Sequence, residues 1–420
     1  MVKAINQSKS DAVFALALAL ITLLAPVATD MYLASMPDIA RHLNVSYASV
    51  QLTLTVFLLA QGVGQVFFGP LIDRFGRRFP LLIGIIIFIV SSILAGFSTS
   101  IEFLVITRFI QGLAGALLLV IGFSSVRDVA EGTKAARLFA ILLTIEGLAP
   151  IFAPIAGGYL DAHFGWRVVL WASACMGLAA LVNSFFFLPE TLPKEKRLPL
   201  QPTAIKKTYW RIARDRSFLL PTLALSGVFF YLFAYISGGA YLYQDIFNLT
   251  PEMFGIVFGV TGGAVMLGAL TSGRLVKKHM VSDIAILGIC LIITGTAVAF
   301  AASLSANLYG VVCGFMVALF GLGIAEPTLV SLTMASQNTA LGFTAALMGA
   351  LHLTLSSLST PISGFLLPIS KEYWFIFLLF SACVTLLVAV ATRSNLRKHS
   401  TELKAPHPAG ERMAGTPSVL

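Results

Sequence analysis

The sequence predicts an all-α integral membrane protein of twelve helices arranged as two sets of six. Composition is the first reason: of 420 residues 57% are hydrophobic and only 11% charged, with a mean hydropathy of +0.89, more apolar than any soluble core of this size requires. The second is length, because the apolar residues fall in runs of about 20 or more, enough for one bilayer crossing each. The third is the pattern inside those runs. They are continuous rather than alternating, which excludes barrel strands and leaves helices, whose backbone groups satisfy one another in lipid.

Taken in order, the runs fall near 12–36, 47–72, 79–98, 101–126, 137–160 and 168–188, then near 217–243, 252–275, 283–303, 307–331, 342–368 and 373–393. Each is bounded by charges or by Pro and Gly. The polar stretch between the two series divides the chain into a first bundle over 1–188, a linker over 189–216 and a second bundle over 217–393. A tail over 394–420, rich in Pro, Gly and charge, reads as disordered. Lys3 and Lys9 precede a run too long for a cleaved signal peptide, so it reads as an uncleaved first span.

The basic residues give the orientation. With the N-terminus in the cytoplasm, 24 of the 28 Lys and Arg fall on inside segments and three, Arg41, Arg167 and Lys371, outside. This bias places both termini, the linker and the tail in the cytoplasm. It also accounts for the net charge of +9 without nucleic acid. Cys175, Cys290, Cys313 and Cys383 lie inside apolar runs and read as small hydrophobes, neither disulfide partners nor metal ligands. The sequence calls for no metal and no cofactor. ATP-binding, zinc-protease and serine-hydrolase signatures are absent from it, which argues against an enzyme.

Five ionisable residues sit inside spans: Asp30, Arg108, Glu146, Glu326 and His352. A charged form facing lipid costs on the order of 2.5–3.5 kcal/mol at mid-helix, so each is expected to face a cavity, a partner or the bundle interior. Asp30 and Arg108 each lie about six residues from the outer end of their spans, roughly 9 Å deep at 1.5 Å per residue, so they share a level. Desolvation raises a carboxyl pKa and a nearby guanidinium lowers it, which suits Asp30 to switching protonation state. The alternatives are a static Asp30–Arg108 pair and, for Arg108, capping of carbonyls on a broken neighbour. Glu146 is a second candidate carboxylate. Tyr32, Gln61, Gln65, Tyr231, Tyr235 and Tyr241 are candidates for lining an apolar cavity.

After the second span comes GPLIDRFGRR, Gly69 to Arg78. Its order of Gly, Asp and Arg resembles the loop 2–3 signature of the major facilitator superfamily over ten consecutive positions. LVITRFIQGLAGA (104–116) is similar to the span 4 motif of that family. GLAPIFAPIAGG (147–158) is similar to its span 5 antiporter motif, with Ala153 where glycine is usual, and LPETLP (188–193) to its span 6 exit. ATDMYLASMP, SVRDV (125–129) and YISGGAYLYQDIFNLTPEMFG (235–255) resemble the twelve-span drug:proton antiporters of the bicyclomycin and chloramphenicol resistance branch. Ala34, Gly239 and Ala240 depart from that wording. Loop 8–9 echoes loop 2–3 weakly through Gly268 and Arg274, as a parallel repeat would.

The resemblance implies roles for the matching residues. Asp30 and Arg108, with Glu146, would form the proton and substrate site. Gly69, Asp73, Arg74, Gly76, Arg77 and Asp128 would form a conformational latch that holds the halves outward-open. Gly147, Pro150, Pro154, Gly157 and Gly158 would let helices 5 and 8 approach and bend. The expected function is export of a small apolar or weakly polar drug, phenicol- or bicyclomycin-like, in exchange for protons. The expected setting is a monomer in the bacterial cytoplasmic membrane, with lipid, drug and protons as its partners. The alternative is a proton-coupled uptake symporter for a small metabolite on the same fold.

Overall fold

A computed structural model of the chain describes residues 14–130, 132–197, 199–337 and 340–402. Among them eleven helices are long and apolar enough to cross a membrane, and a bent pair at the start makes the twelfth. In chain order α1 is the bent pair Phe14–Thr22 and Leu24–Leu33, α2 Tyr47–Phe75, α3 Arg78–Gly96, α4 Ile101–Val129, α5 Gly132–Glu146 continued by Ala149–Phe164, and α6 Trp166–Phe187. The second series is α7 Arg216–Ile246, α8 Pro251–Leu275, α9 Val281–Leu304, α10 Leu308–Ala335, α11 Leu341–Leu366 and α12 Lys371–Glu402. The last helix thus carries the chain nine residues into the segment expected to be disordered. Residues 403–420, with Lys3 and Lys9, lie outside the described residues.

Prolines decide where the spans bend. A proline lacks the N–H that would reach the carbonyl four residues back, and α1 turns by 42° between Thr22 and Leu24, just where Pro26 leaves the Thr22 carbonyl free. Pro150 does the same for Glu146, and α5 breaks at Gly147 and Leu148. Pro361 frees Ser357 in α11, where the Thr360 hydroxyl takes over as donor at 3.0 Å. Pro70 frees Val66 in α2, and the donor there comes from the linker: Tyr209 Oη donates to the Val66 carbonyl at 3.2 Å. The linker contains the helix Pro202–Arg214, an element that its polar composition concealed.

Helices α3, α6, α9 and α12 stand outside the others, and many of their large apolar side chains, such as Ile86, Val90, Phe186 and Leu387, are exposed as lipid-facing residues are. The remaining eight surround the axis. At the end away from the basic loops the two halves are drawn together. Tyr47 Oη and Gln51 Nε2 both donate to the Ser237 carbonyl, at 2.7 and 3.0 Å, and Gln244 Nε2 donates to Ala34 at 3.0 Å. Arg41 meets Asp245 at 3.4 Å across the same seam.

Along the neighbouring seam α5 and α8 touch backbone to backbone. A Cβ on Gly259 or Gly262 would stand 2.6 Å from the carbonyl oxygens of Ile151 and Pro150, and one on Gly158 or Gly255 would overlap Pro251 and Pro154. Small residues permit that approach, which is how helices associate in a solvent as apolar as their own side chains.

Candidate functional site

Between the halves lies a cavity of about 1390 Å³, closed at the seam end and reaching the basic end at Asp73, Arg77, Arg127, Asp128, Gly342 and Phe343. Its walls come from α1, α2, α4 and α5 on one side and α7, α8, α10 and α11 on the other, with Tyr209 of the linker at the margin. Most of the lining is apolar, including Phe123, Phe229, Phe233 and Phe258, with a few polar groups converging on it, the composition of a small-molecule site.

Asp30 faces this cavity from the second piece of α1, with only 8% of the residue exposed. No hydrogen bond or ion pair is formed by its carboxylate among the described residues. The proline bend in α1 offsets this piece of helix from the first, so the acid stands in the cavity wall rather than against lipid. Glu146 closes the first piece of α5 and also lines the cavity, its Oε1 without a partner. Glu326 and His352 line it from the other half. Nδ1 of His352 is 2.9 Å from the Met348 carbonyl, and its ring lies 4.5 Å from Phe229.

Arg108 departs from expectation. It is fully buried behind α1 and does not reach the cavity. Nη1 donates to Gln111 Oε1 at 2.6 Å and lies 3.5 Å from the Ala28 carbonyl, and Gln111 Nε2 donates to Ser92 Oγ at 2.6 Å. The guanidinium lies 4.5 and 4.4 Å from the ring centroids of Tyr32 and Phe57. Arg108 and Asp30 form no salt bridge among the described residues. Tyr32 is corrected with it: its hydroxyl is shared with Thr53 at 2.7 Å, and its ring packs on Arg108 instead of lining the cavity.

Gln61 and Tyr235 do line the cavity. Tyr235 Oη pairs with Thr261 Oγ1 at 3.1 Å, and its ring stacks on Phe258 at 5.4 Å. Gln61 and its neighbour one turn on, Gln65, are 8% and 7% exposed and make no hydrogen bond through their side chains among the described residues.

At the basic end Arg77 bonds Asp73 at 2.8 Å and, through Nε, Asp128 at 2.9 Å. Burial lowers the guanidinium pKa, but the bonds and charges of Asp128 and Asp73 outweigh it and hold it above its ordinary value. Gly76 has φ +88°, the left-handed region where glycine carries no Cβ penalty, and turns the chain from α2 into α3. Gly69 borders the cavity and has open space where a methyl group would stand, and Arg74 is exposed. These bonds stay inside the first half.

Glu190, quoted within LPETLP but given no role by the sequence, proves to be the keystone of this loop. Its Oε1 accepts the backbone N–H of Arg77 at 2.8 Å and of Leu192 at 3.0 Å, and Oε2 faces Arg78 N and Arg197 Nη2, each at 3.4 Å. It therefore caps the start of α3, where free N–H groups and the helix dipole favour an anion. Burial raises its pKa; the amides and Arg197 outweigh that and hold it below the usual carboxylate value. Thr191 Oγ1 donates to Asp128 at 3.0 Å and ties α6 into the same network. A Glu at a helix exit, away from the helix that it caps, has no local sequence signature.

Of the span 5 residues, Gly147 and Pro150 border the cavity, Pro154 and Gly158 lie in the seam with α8, and Gly157, expected to serve that seam, instead serves the packing of α5 on α1 within the first half. Gly157 is pressed on the Met31 carbonyl of α1 and Gly158 on Pro251 of the other half.

Comparison with known proteins agrees with this architecture. The family model described as Major Facilitator Superfamily matches residues 18–356. The chain is 33% identical over 362 residues, 85% of its own length and 89% of the relative's, to an uncharacterized MFS-type transporter, YdgK, of Bacillus subtilis strain 168. It is 32% identical over 273 residues, 65% of its length and 69% of the relative's, to a bicyclomycin resistance protein homolog of Haemophilus influenzae. Among solved structures, a D-xylose-proton symporter superposes with a TM-score of 0.70 over 90% of this chain and 96% of that one, at 16% identity, a likeness of fold alone.

Proposed function

The chain belongs to the major facilitator superfamily and is a multi-pass membrane transporter rather than an enzyme, and from that premise we propose that it exports small, apolar or weakly polar drugs in exchange for protons. The drugs are of the phenicol or bicyclomycin type, and the site is the cytoplasmic membrane of a bacterium. The observation that carries this reading is Asp30: a carboxylate without a protein partner at the closed end of a mostly apolar cavity. The kinship with a bicyclomycin resistance homolog supports the drug class.

In this reading the basic end faces the cytoplasm, following the distribution of Lys and Arg, and the structure corresponds to an inward-open state. Drug enters among the aromatic side chains, and Gln61 and Tyr235 supply polar contacts. Asp30 loses its proton to the cytoplasm as the drug binds. When the halves rock, α5 and α8 separate along their glycine seam and the basic end closes. The Asp73–Arg77–Asp128 cluster, already ordered by Glu190, then meets the start of α11. Protonation of Asp30 from outside removes a buried charge and releases the drug. Arg108 acts through position rather than contact, fixing the Tyr32 face of α1 and the Ala28 carbonyl. One elementary charge moved across about 100 mV supplies about 2.3 kcal/mol, and one pH unit adds about 1.4 kcal/mol, enough for a gradient of a few hundred-fold.

Everted membrane vesicles with an acidified lumen test the direction. Adding chloramphenicol outside is expected to make the lumen more alkaline, as drug enters and protons leave. Further acidification would mean that drug and proton travel together, and the uptake reading would replace this one.

A further inference from the structure

The linker helix Pro202–Arg214 presents two unlike faces. At 3.6 residues per turn, Ile205, Thr208, Tyr209 and Ile212 fall on one side, and these are the residues that the rest of the chain covers in part or in full. Ile212 is fully buried, Tyr209 Oη donates to the Val66 carbonyl of α2, and the Tyr209 ring meets Phe343 of α11 with centroids 5.1 Å apart. This side therefore touches both halves. The opposite side carries Lys207, Trp210 and Arg214, with Lys206 and Arg211 on its flanks, all exposed. Trp210 is 59% exposed, and the Arg214 guanidinium lies 4.5 Å from its ring centroid. From Lys196 to Arg214 the chain contains no Asp or Glu, and among the described residues none of these four cations has an acidic partner.

The depth of the helix follows from its mooring. Val66 lies nine residues before the end of α2 at Phe75, roughly 13 Å along the axis. At that level and beyond it, large apolar side chains are still exposed: Phe67 at 69%, Phe75 at 51% and, at the start of α3, Phe79 at 66%. Exposed apolar surface of this kind belongs against a membrane, so the apolar zone extends past the mooring and the linker helix lies at its border. An exposed indole is poorly served by water and cations are poorly served by hydrocarbon. The headgroup region serves both, which is why interfacial helices combine Trp with Lys and Arg.

We propose that the face formed by Lys206, Lys207, Trp210, Arg211 and Arg214 docks on anionic phospholipid headgroups of the leaflet at the basic end. Charge complementarity identifies the partner. Each Lys or Arg close to an anionic surface favours it by about fivefold, and four of them stand on one helix with no acid to offset them. The indole adds an anchor at headgroup depth. The linker is then held on one face by both halves of the protein and on the other by the bilayer. The inference is independent of what the cavity carries and of the direction of transport.

The test is quenching of Trp210 fluorescence in the full chain reconstituted into vesicles of phosphatidylcholine with a minor share of phosphatidylglycerol. Bromine is placed near the headgroup end of the acyl chains of one lipid or the other, at equal mole fraction. The chain has four tryptophans, so the Trp210 signal is the difference between the wild type and Trp210→Phe. Brominated phosphatidylglycerol should quench it at least about twofold more than brominated phosphatidylcholine, the scale of enrichment that a few nearby cations produce. Lys206→Gln with Lys207→Gln, two exposed changes, should reduce that preference. High salt should reduce it in the wild type as well, through screening, which decides the matter without any variant. Equal quenching by the two lipids would overturn the proposal, as would a preference indifferent to salt. Absence of quenching by either lipid would also overturn it and would turn this face to the aqueous side, toward a soluble acidic partner.

Discussion

Replacing Glu190 by Gln removes one negative charge from the start of α3 while keeping the side chain's size. The carboxylate is about two-thirds buried, at 31% side-chain exposure, and makes two short bonds to backbone N–H groups. A Gln oxygen preserves those two, but its NH2 then faces Arg78 N and Arg197, and the charge assistance is lost. Hydrogen bonds to charged groups contribute about 1.5–3 kcal/mol each against about 1 for neutral ones, so a net loss of roughly 2 kcal/mol is expected. Spread over the unfolding entropy of a chain this long, at about 2.1 cal/mol/K per residue, that is a fall in Tm of about 2 °C. The sign with pH follows from the depressed pKa. The folded carboxyl titrates below its ordinary value of 4.5, so its stabilisation is complete above about that pH and is lost as pH falls through the depressed value. Thermal unfolding in detergent, followed by tryptophan fluorescence at pH 7.5 and pH 4, should show the gap between wild type and Glu190→Gln narrowing at the lower pH. A gap that is absent at pH 7.5, or that widens on acidification, would refute the capping role.

Arg108→Lys should destabilise the fold nearly as much as Arg108→Gln, by about 1–3 kcal/mol in thermal unfolding, because a compact ammonium reproduces neither the planar contact with two rings nor the reach to Gln111; recovery of wild-type stability by Lys would contradict the sandwich. Gly255→Leu places a branched side chain on the Pro154 carbonyl and should cost the closed seam about 1–3 kcal/mol. Labelling of a cysteine placed at Ser237, read with a membrane-impermeant thiol reagent applied from the side away from the basic loops, should rise, and unchanged labelling would count against the seam as a gate. Tyr209→Phe leaves the carbonyl freed by Pro70 without its donor and should cost about 1 kcal/mol in thermal unfolding, with no loss expected if that bond is incidental.

The membrane class, the number of spans and the division into two sixes were legible because hydrophobic length is a one-dimensional property. The loop 2–3 and span 5 motifs were legible for a similar reason, since turns and close helix contacts impose residue types at fixed spacing. What escaped depends on rotation about helix axes and on partners distant in the chain. Arg108 and Asp30 share a level, yet one lies behind α1 and the other in the cavity wall, and depth alone does not distinguish them. Glu190 acts on a helix more than a hundred positions earlier, and Tyr209 on a carbonyl that is free only because of Pro70. The linker helix was hidden by a composition that also suits a solvated loop, since only a few side chains, Tyr209 and the buried Ile212 among them, moor it.

The most direct measurement follows proton and drug together in proteoliposomes containing Asp30→Asn. The account predicts that the variant no longer accumulates chloramphenicol when a pH gradient is imposed, while exchange of labelled for unlabelled drug at equal pH continues. Undiminished accumulation by the folded variant under the same gradient would contradict it.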